Sequence, residues 1–154
     1  MVRRFTERGG WWVAAQGVLM GAIIVAWMAW GGSWGVAVTV AGFAIALGGA
    51  VLALAGLGFL GRNLTPYPVP REGTVLVDRG PYAVVRHPIY GGIVIAALGL
   101  SIADANPVAA GLSGALAVLF TLKAGHEERQ LERVVAGYAD YRHRVRGRIF
   151  PFIP

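Results

Sequence analysis

The sequence predicts an all-α integral membrane protein with four transmembrane helices, of which the last two form a short helical hairpin. Hydrophobic residues make up 56% of the 154 residues and charged residues only 14%, whereas soluble domains carry roughly 25% charged residues. Residues 9–61 contain no Asp, Glu, Lys or Arg, and Asp104 is the only charged residue at positions 88–122. A soluble domain of this length has too small an interior to bury two such stretches.

The length fits one domain, in which residues 1–60 form two spans and residues 61–154 form the remainder. The net charge of +6 is of the kind that favours nucleic acid. However, all 14 Lys and Arg residues fall at the edges of the apolar stretches, in segments 3–8, 62–86 and 123–148, so we expect no nucleic-acid partner. The lack of Cys excludes disulfides and thiolate metal sites, and the spacing of the three His predicts no metal site.

The first two spans are predicted at Trp11–Trp30 and at about Trp34–Leu60. The first has 20 residues, which as a helix cover about 30 Å, the thickness of a hydrocarbon core. Its length, its terminal Trp residues and the span that follows argue against a cleaved signal peptide. The second span holds small residues that let helices approach closely: Gly42, Gly48, Gly49, Gly56 and Gly58.

The segment at residues 61–88 is polar and rich in Pro. Three Pro residues within five positions, 66 to 70, exclude a helix there. Thr74–Val77 is β-prone and predicts a short strand, and Asp78–Pro81 predicts a turn.

Two shorter apolar segments follow, Ile89–Ile102 and Pro107–Leu122, joined by a turn at residues 103–106. As helices they would be about 21 and 24 Å long, which is shorter than a hydrocarbon core of ~30 Å. We therefore expect a helical hairpin whose cytosolic ends lie partly below the membrane surface, where a polar cavity covered by protein can form.

Four crossings place all three basic segments on one side of the membrane, and the positive-inside rule makes that side the cytosol. Both termini are then cytosolic. The brevity of the chain favours the inner membrane of a prokaryote.

Two polar clusters adjoin the predicted hairpin. In the first, residues 80–91, His87 lies directly before a helix start, where free N–H groups gather; the alternative is an interfacial anchor whose Tyr rings lie among the lipid headgroups. In the second, residues 123–132, Lys123 and Glu127 share one helix face. A partly desolvated Glu127 needs a cationic partner, whereas the alternative is a solvated helix with surface ion pairs.

A third cluster, residues 137–154, contains Tyr138, Tyr141 and four Arg residues. Such a segment can bind anionic lipid headgroups at the membrane surface, and a basic anchor is the alternative to any more specific role.

The order of these clusters resembles the isoprenylcysteine carboxyl methyltransferase family, which is related to the membrane phospholipid methyltransferases. The resemblance rests on Arg-His-Pro-Ile-Tyr-Gly at 86–91, the apolar hairpin, Glu-Glu-x-x-Leu at 127–131 and Gly-Tyr-x-x-Tyr at 137–141. It covers roughly residues 61–154, and the first two spans match only in being apolar.

The resemblance implies a cytosolic loop and a C-terminal helix that bind S-adenosylmethionine without a Rossmann domain, which agrees with the absence of a GxGxxG motif. It implies that Lys123, four positions before Glu127, contacts the substrate. The implied cofactor-binding residues are Thr74, Val75, Leu76, Val77, Tyr82, His87, Pro88, Ile89, Tyr90 and Glu127.

The function predicted on this basis is transfer of a methyl group from S-adenosylmethionine to a lipophilic acceptor that enters from the bilayer, with S-adenosylhomocysteine as the product. The acceptor is a carboxylate, a thiol or an amine, and Lys123 would offset its negative charge. A carboxylate needs no general base, whereas a thiol or an amine would use His87. The expected partners are this lipid or lipophilic small molecule and the membrane lipids. Two alternatives stay open: an NADPH-dependent membrane reductase and a non-catalytic four-span lipid-binding protein.

Overall fold

The structure, a computed structural model, describes residues 9–70, 73–151 and 153, and its regular secondary structure is helical throughout those residues. Two short 3-10 turns, Gly61–Asn63 and Gly80–Ala83, lie in the loop between the second and third α-helices. The α-helices are α1 (Gly10–Ala29), α2 (Val36–Leu60), α3 (Pro88–Ala103), α4 (Pro107–Val134) and α5 (Tyr138–Arg144).

The first three predicted spans agree with α1, α2 and α3 to within two residues at each end, and the all-helical membrane class of the fold is confirmed. The last differs, because α4 has 28 residues and continues past the predicted end at Leu122 to Val134, so only α3 is short in the predicted hairpin. Within the described residues, α1, α2 and α4 are long and apolar enough to cross a membrane. Helix α3 is apolar but has only 16 residues, so the four-span count stays a prediction. The basic residues at positions 3–8, predicted to be cytosolic, lie outside the described residues.

Helices α2 and α3 pack with their backbones almost in contact. The glycines of α2 that face α3 recur every seven residues, at Gly42, Gly49 and Gly56. A Cβ added at Gly49 would overlap Ala96 N and lie 2.6 Å from Gly92 O. Only Gly can occupy such a position without separating the helices. By contrast, nothing lies within 4 Å of a Cβ at Gly48 or Gly58, so the predicted close packing uses three of the five glycines.

Helix α4 packs on both α3 and α1. The core between them contains the buried side chains of Ile23, Val94, Leu116 and Phe120, one or more from each of the three helices. Asn106 joins α1 to α4 at the end of the bundle where α3 turns into α4. Its side-chain oxygen accepts a hydrogen bond from Ala109 N at 2.9 Å and so caps α4, while its amide donates to carbonyls at the end of α1.

The strand predicted at Thr74–Val77 is wrong. Residues 74–78 have no regular secondary structure. Their neighbour is a side chain, because the Asn63 amide donates to Val75 O at 2.7 Å and its carbonyl oxygen accepts from Val75 N at 3.4 Å. A β-prone run becomes a strand only when another backbone segment pairs with it. Here the Asn63 side chain occupies the backbone N–H and C=O of Val75 instead.

The residues after α5 return to the start of α3. We call residues 145–150 the C-terminal strap. Val85 and Gly147 form an isolated parallel bridge, and Arg86 N and His87 N donate to Gly147 O and Arg148 O at 2.9 and 2.8 Å. The strap passes so close to α3 that a Cβ at Gly91 would overlap Ile149 O.

Candidate active site

A cavity of about 300 Å³ lies at the end of the bundle where α4 carries its charged residues. Its walls are the end of α2, the loop residues at 63–70 and 74–77, the first turns of α3 and the α4 segment from Lys123 to Leu131. Gln16 of α1 adds a polar group to it.

Nearly all the residues predicted from the sequence to form the site line this one cavity. Pro88 is the exception, since it is buried at the start of α3 beside Gly56 and does not line the cavity. The predicted residues that line it are Thr74, Val75, Leu76, Val77, Tyr82, His87, Ile89, Tyr90, Lys123 and Glu127.

Among the described residues that line the cavity, Glu127 is the one with a carboxylate. Its Oε2 accepts a hydrogen bond from Tyr90 Oη at 2.9 Å and lies 4.0 Å from His87 Nδ1. The side chain keeps 22% of its surface accessible, so the carboxylate is partly desolvated yet reachable from the cavity. A carboxylate in that setting attracts a cationic or multiply hydrogen-bonding ligand.

Lys123 is almost fully buried, with 1% of its surface exposed. Its Nζ donates to Gln16 Oε1 at 2.8 Å and to Pro66 O at 3.1 Å, and it lies 5.1 Å from the centre of the Tyr90 ring. The i,i+4 spacing from Glu127 therefore places a cation and an anion on the same wall, as the sequence predicts.

An aromatic stack separates these charges from the core of the bundle. The rings of His87 and Tyr90 are 5.4 Å apart and nearly parallel, and Tyr90 stacks in turn on Phe120 at 4.6 Å. The stack fixes the orientation of the imidazole and the phenol, so that His87 Nδ1 and Tyr90 Oη face Glu127.

Tyr82 closes the loop side of the cavity. Its hydroxyl donates to Gly56 O at 3.3 Å, and its own carbonyl accepts from Tyr141 Oη at 2.8 Å. Burial raises the pKa of the Tyr82 phenol well above its ordinary value, and the negative charge of Glu127 raises it further. Tyr82 thus remains a neutral hydrogen-bonding side chain at physiological pH.

The lining residues that sequence reasoning missed include two side-chain amides, Gln16 and Asn63. Gln16 is the one strongly polar residue of α1, and a polar side chain inside an apolar span is costly enough to signal a role. Asn63 gave no comparable signal, because it lies in a polar loop where amides are common.

The chain belongs to the phospholipid methyltransferase family, which it matches over residues 36–136. The resemblance drawn from the motifs is therefore confirmed at the level of this family of membrane methyltransferases. Helix α1, with Gln16, lies outside the matched residues.

The chain is similar to the cobalt-zinc-cadmium resistance protein CzcN of Cupriavidus metallidurans, with 28% identity over 140 residues. The alignment covers 90% of this chain but only 62% of that protein's length. In the part of this chain that the structure describes, no group of three or more His, Asp or Glu side chains is placed to hold a metal ion.

Proposed function

We propose that the protein transfers a methyl group from S-adenosylmethionine to a lipophilic acceptor. The observation that carries the proposal is the Glu127 carboxylate, which shares a partly closed cavity with Lys123 in a chain of the phospholipid methyltransferase family. The cofactor supplies a methyl group that is already electrophilic, so the protein has chiefly to hold two reactants in line and exclude water.

The cavity's chemistry fits such a cofactor. Its amino group needs an anion, which Glu127 provides, and its adenine needs flat or apolar surface with backbone polar groups at the edge. The extended segment Thr74–Val77 and Leu131 line the cavity and offer both. His87 and Tyr90 present polar atoms beside Glu127, where they would bind the methionine or ribose part.

The acceptor is proposed to be a lipid or lipophilic small molecule that enters from the bilayer. Leu60, Leu64 and Ile93 supply an apolar wall to the cavity, while Lys123 places a positive charge in it. We propose that Lys123 offsets negative charge on a carboxylate or thiolate acceptor, and that His87 is the general base for a thiol or an amine.

An NADPH-dependent reductase is less well supported by this site. Its cofactor needs cations for several phosphate oxygens. Among the described residues Arg86 is the Arg that lines the cavity, and its guanidinium already donates to Glu128 and to two strap carbonyls. A non-catalytic lipid-binding protein is distinguished by its behaviour, since it would have no affinity for S-adenosylmethionine and would tolerate substitution at His87 and Glu127.

The topology that accompanies the proposal has four crossings, with α3 as the shortest, and both termini in the cytosol of a prokaryotic cell. The charged end of α4 then faces the cytosol, from which a polar cofactor enters, and the neighbouring apolar surface faces the inner leaflet. Annular membrane lipids are the partners that this arrangement requires.

The proposal is tested by titrating purified protein in detergent with S-adenosylmethionine and, separately, with NADPH, using isothermal calorimetry. We expect binding of the first and none of the second. Incubation of protein-containing vesicles with methyl-labelled cofactor should then label a lipid-soluble product. Binding of NADPH alone, or of neither compound, would overturn the proposal.

Replacing Lys123→Gln tests the acceptor side of the cavity. The amide keeps a donor for Gln16 but loses the charge, and a hydrogen bond to a charged group contributes about 1.5–3 kcal/mol. We expect the KM of an anionic acceptor to rise about 10-fold or more, with cofactor affinity unchanged. The acceptors to compare are a prenylated cysteine carboxylate, a long-chain thiol and phosphatidylethanolamine. If Lys123→Gln leaves the KM of each of the three unchanged, the proposed role of Lys123 is contradicted.

A further inference from the structure

The two neighbouring glutamates of α4 face different surroundings. Glu127 lines the cavity, whereas Glu128 does not and keeps only 2% of its side-chain surface exposed. Consecutive residues of a helix project about 100° apart, so Glu128 points towards the strap and the start of α3. Neither the family match nor the cavity gives this second carboxylate a role.

Glu128 is the common neighbour of basic side chains from three segments. Its Oε1 accepts from Arg86 Nε at 2.7 Å and lies 3.3 Å from His87 Nε2. Its Oε2 lies 3.5 Å from Arg148 Nε and 3.9 Å from Arg142 Nε. A buried carboxylate with this many donors around it is held in one position.

The backbone around His87 is held as firmly as the carboxylate. Arg86 Nη1 donates to Val145 O and Arg146 O at 2.6 and 2.8 Å, and His87 N donates to Arg148 O at 2.8 Å. Tyr90 stacks on the imidazole ring, so His87 is restrained both at its backbone and at its ring.

The two ring nitrogens of His87 therefore have fixed and different neighbours. Nε2 is buried and lies 3.3 Å from Glu128 Oε1, within hydrogen-bonding distance, although the two atoms form no hydrogen bond of good geometry in the structure. Nδ1 faces Glu127 Oε2 at 4.0 Å. In a neutral imidazole one nitrogen carries the proton and the other is an acceptor, and the neighbours select which.

We infer that Glu128 is a positioning residue that holds His87 as the Nε2–H tautomer, so that the Nδ1 lone pair faces the cavity beside Glu127. An ionised carboxylate only accepts hydrogen bonds, so it stabilises a proton on Nε2. The cavity then presents two adjacent acceptors, His87 Nδ1 and the Glu127 carboxylate, to one cationic donor group. The inference rests on the proposed function only for the identity of that donor, the cofactor's amino group.

The substitution Glu128→Gln separates this role from a merely structural one. Arg86 Nε and His87 Nε2 face the same oxygen of Glu128, so a Gln oxygen that still accepts from Arg86 also faces Nε2. That oxygen is neutral and a weaker acceptor than the Glu127 carboxylate beside Nδ1, so the variant favours the opposite tautomer, Nδ1–H. That proton would point at Glu127 and compete with the ligand. We expect the dissociation constant for S-adenosylmethionine to rise about 10-fold, with a smaller change in kcat.

The direct measurement is 15N NMR of protein labelled at His in detergent, with the His87 signals assigned by their loss in His87→Gln. In the unaltered protein we expect a protonated Nε2 and an unprotonated Nδ1, and in Glu128→Gln the reverse. The matched control is Glu132→Gln, one turn further along α4, where the side chain bonds Arg142 at the surface; it should leave both nitrogens unchanged.

Two results would overturn the inference. One is an Nδ1–H or doubly protonated His87 in the unaltered protein, and the other is an unchanged tautomer in folded Glu128→Gln. If that variant does not fold, Glu128→Asp is the substitute, because it keeps the charge on a side chain one methylene shorter. We expect it to retain the Nε2–H form of His87, with the imidazole held less firmly. The tautomer is measured without cofactor, so a wrong inference about His87 is distinguishable from a failure of the protein to bind S-adenosylmethionine.

Discussion

Replacing Gly49→Ala should destabilise the helix bundle, whereas the neighbouring replacement Gly48→Ala should not. The methyl group at position 49 would overlap Ala96 N and press on Gly92 O at 2.6 Å. Both obstacles are backbone atoms, which cannot rotate away, so α2 and α3 must separate. Overpacking of this kind costs about 1–3 kcal/mol, and roughly 2–4 °C in Tm accompanies each kcal/mol for a chain of this size.

Gly48 provides the matched control because it is one residue away on the same helix and nothing lies within 4 Å of its added Cβ. Ala is the better helix former by about 0.5–1 kcal/mol, so Gly48→Ala should be neutral or slightly stabilising. Thermal unfolding in one detergent measures both variants. Equal Tm values for the two would show that α2 and α3 are not packed through this face.

The separation of α2 from α3 should also reach the candidate site. The third glycine of the same row, Gly56, would place a Cβ 2.8 Å from Ile89 Cγ1, and Ile89 lines the cavity. Close packing along the row therefore sets the distance between the end of α2 and the start of α3, which are two walls of the site.

The spans were predictable because charge is expensive in lipid, so a charge-free stretch of 53 residues, 9–61, indicates crossings without knowledge of packing. The shared wall of Lys123 and Glu127 was predictable because helical spacing fixes which residues face together. Both inferences depend on local pattern alone, and both agree with the structure.

The features that could not be predicted depend on contacts between distant segments. The strap pairs Val85 with Gly147, 62 positions apart, and neither segment has a pattern that names its partner. The strand prediction at Thr74–Val77 failed for the same reason, because β-propensity says nothing of what lies alongside. The apolar pattern alone leaves the rotation of α4 against α3 open over about 100°, so the choice of Glu127 rather than Glu128 comes from the family resemblance and not from the pattern.

Replacing Glu127→Gln should abolish measurable binding of S-adenosylmethionine while leaving the protein folded. The amide still accepts the hydrogen bond from Tyr90, which the structure places at 2.9 Å, so the local packing is kept. What is lost is the negative charge opposite the cofactor's cationic groups in a partly desolvated site. Removing one partner of such a buried charge pair costs about 2–5 kcal/mol, which is a loss of affinity of about 30-fold or more.

Glu132→Gln is again the appropriate control, because it removes the same charge from the same helix at a side chain that lies outside the cavity. Calorimetric titration of the three proteins in one detergent, with Tm as the test of folding, separates charge at the site from net charge. If Glu127→Gln and the unaltered protein bind the cofactor equally, then the carboxylate at the cavity wall is not its ligand, and the group that binds the cofactor's amino group must be sought elsewhere on the chain.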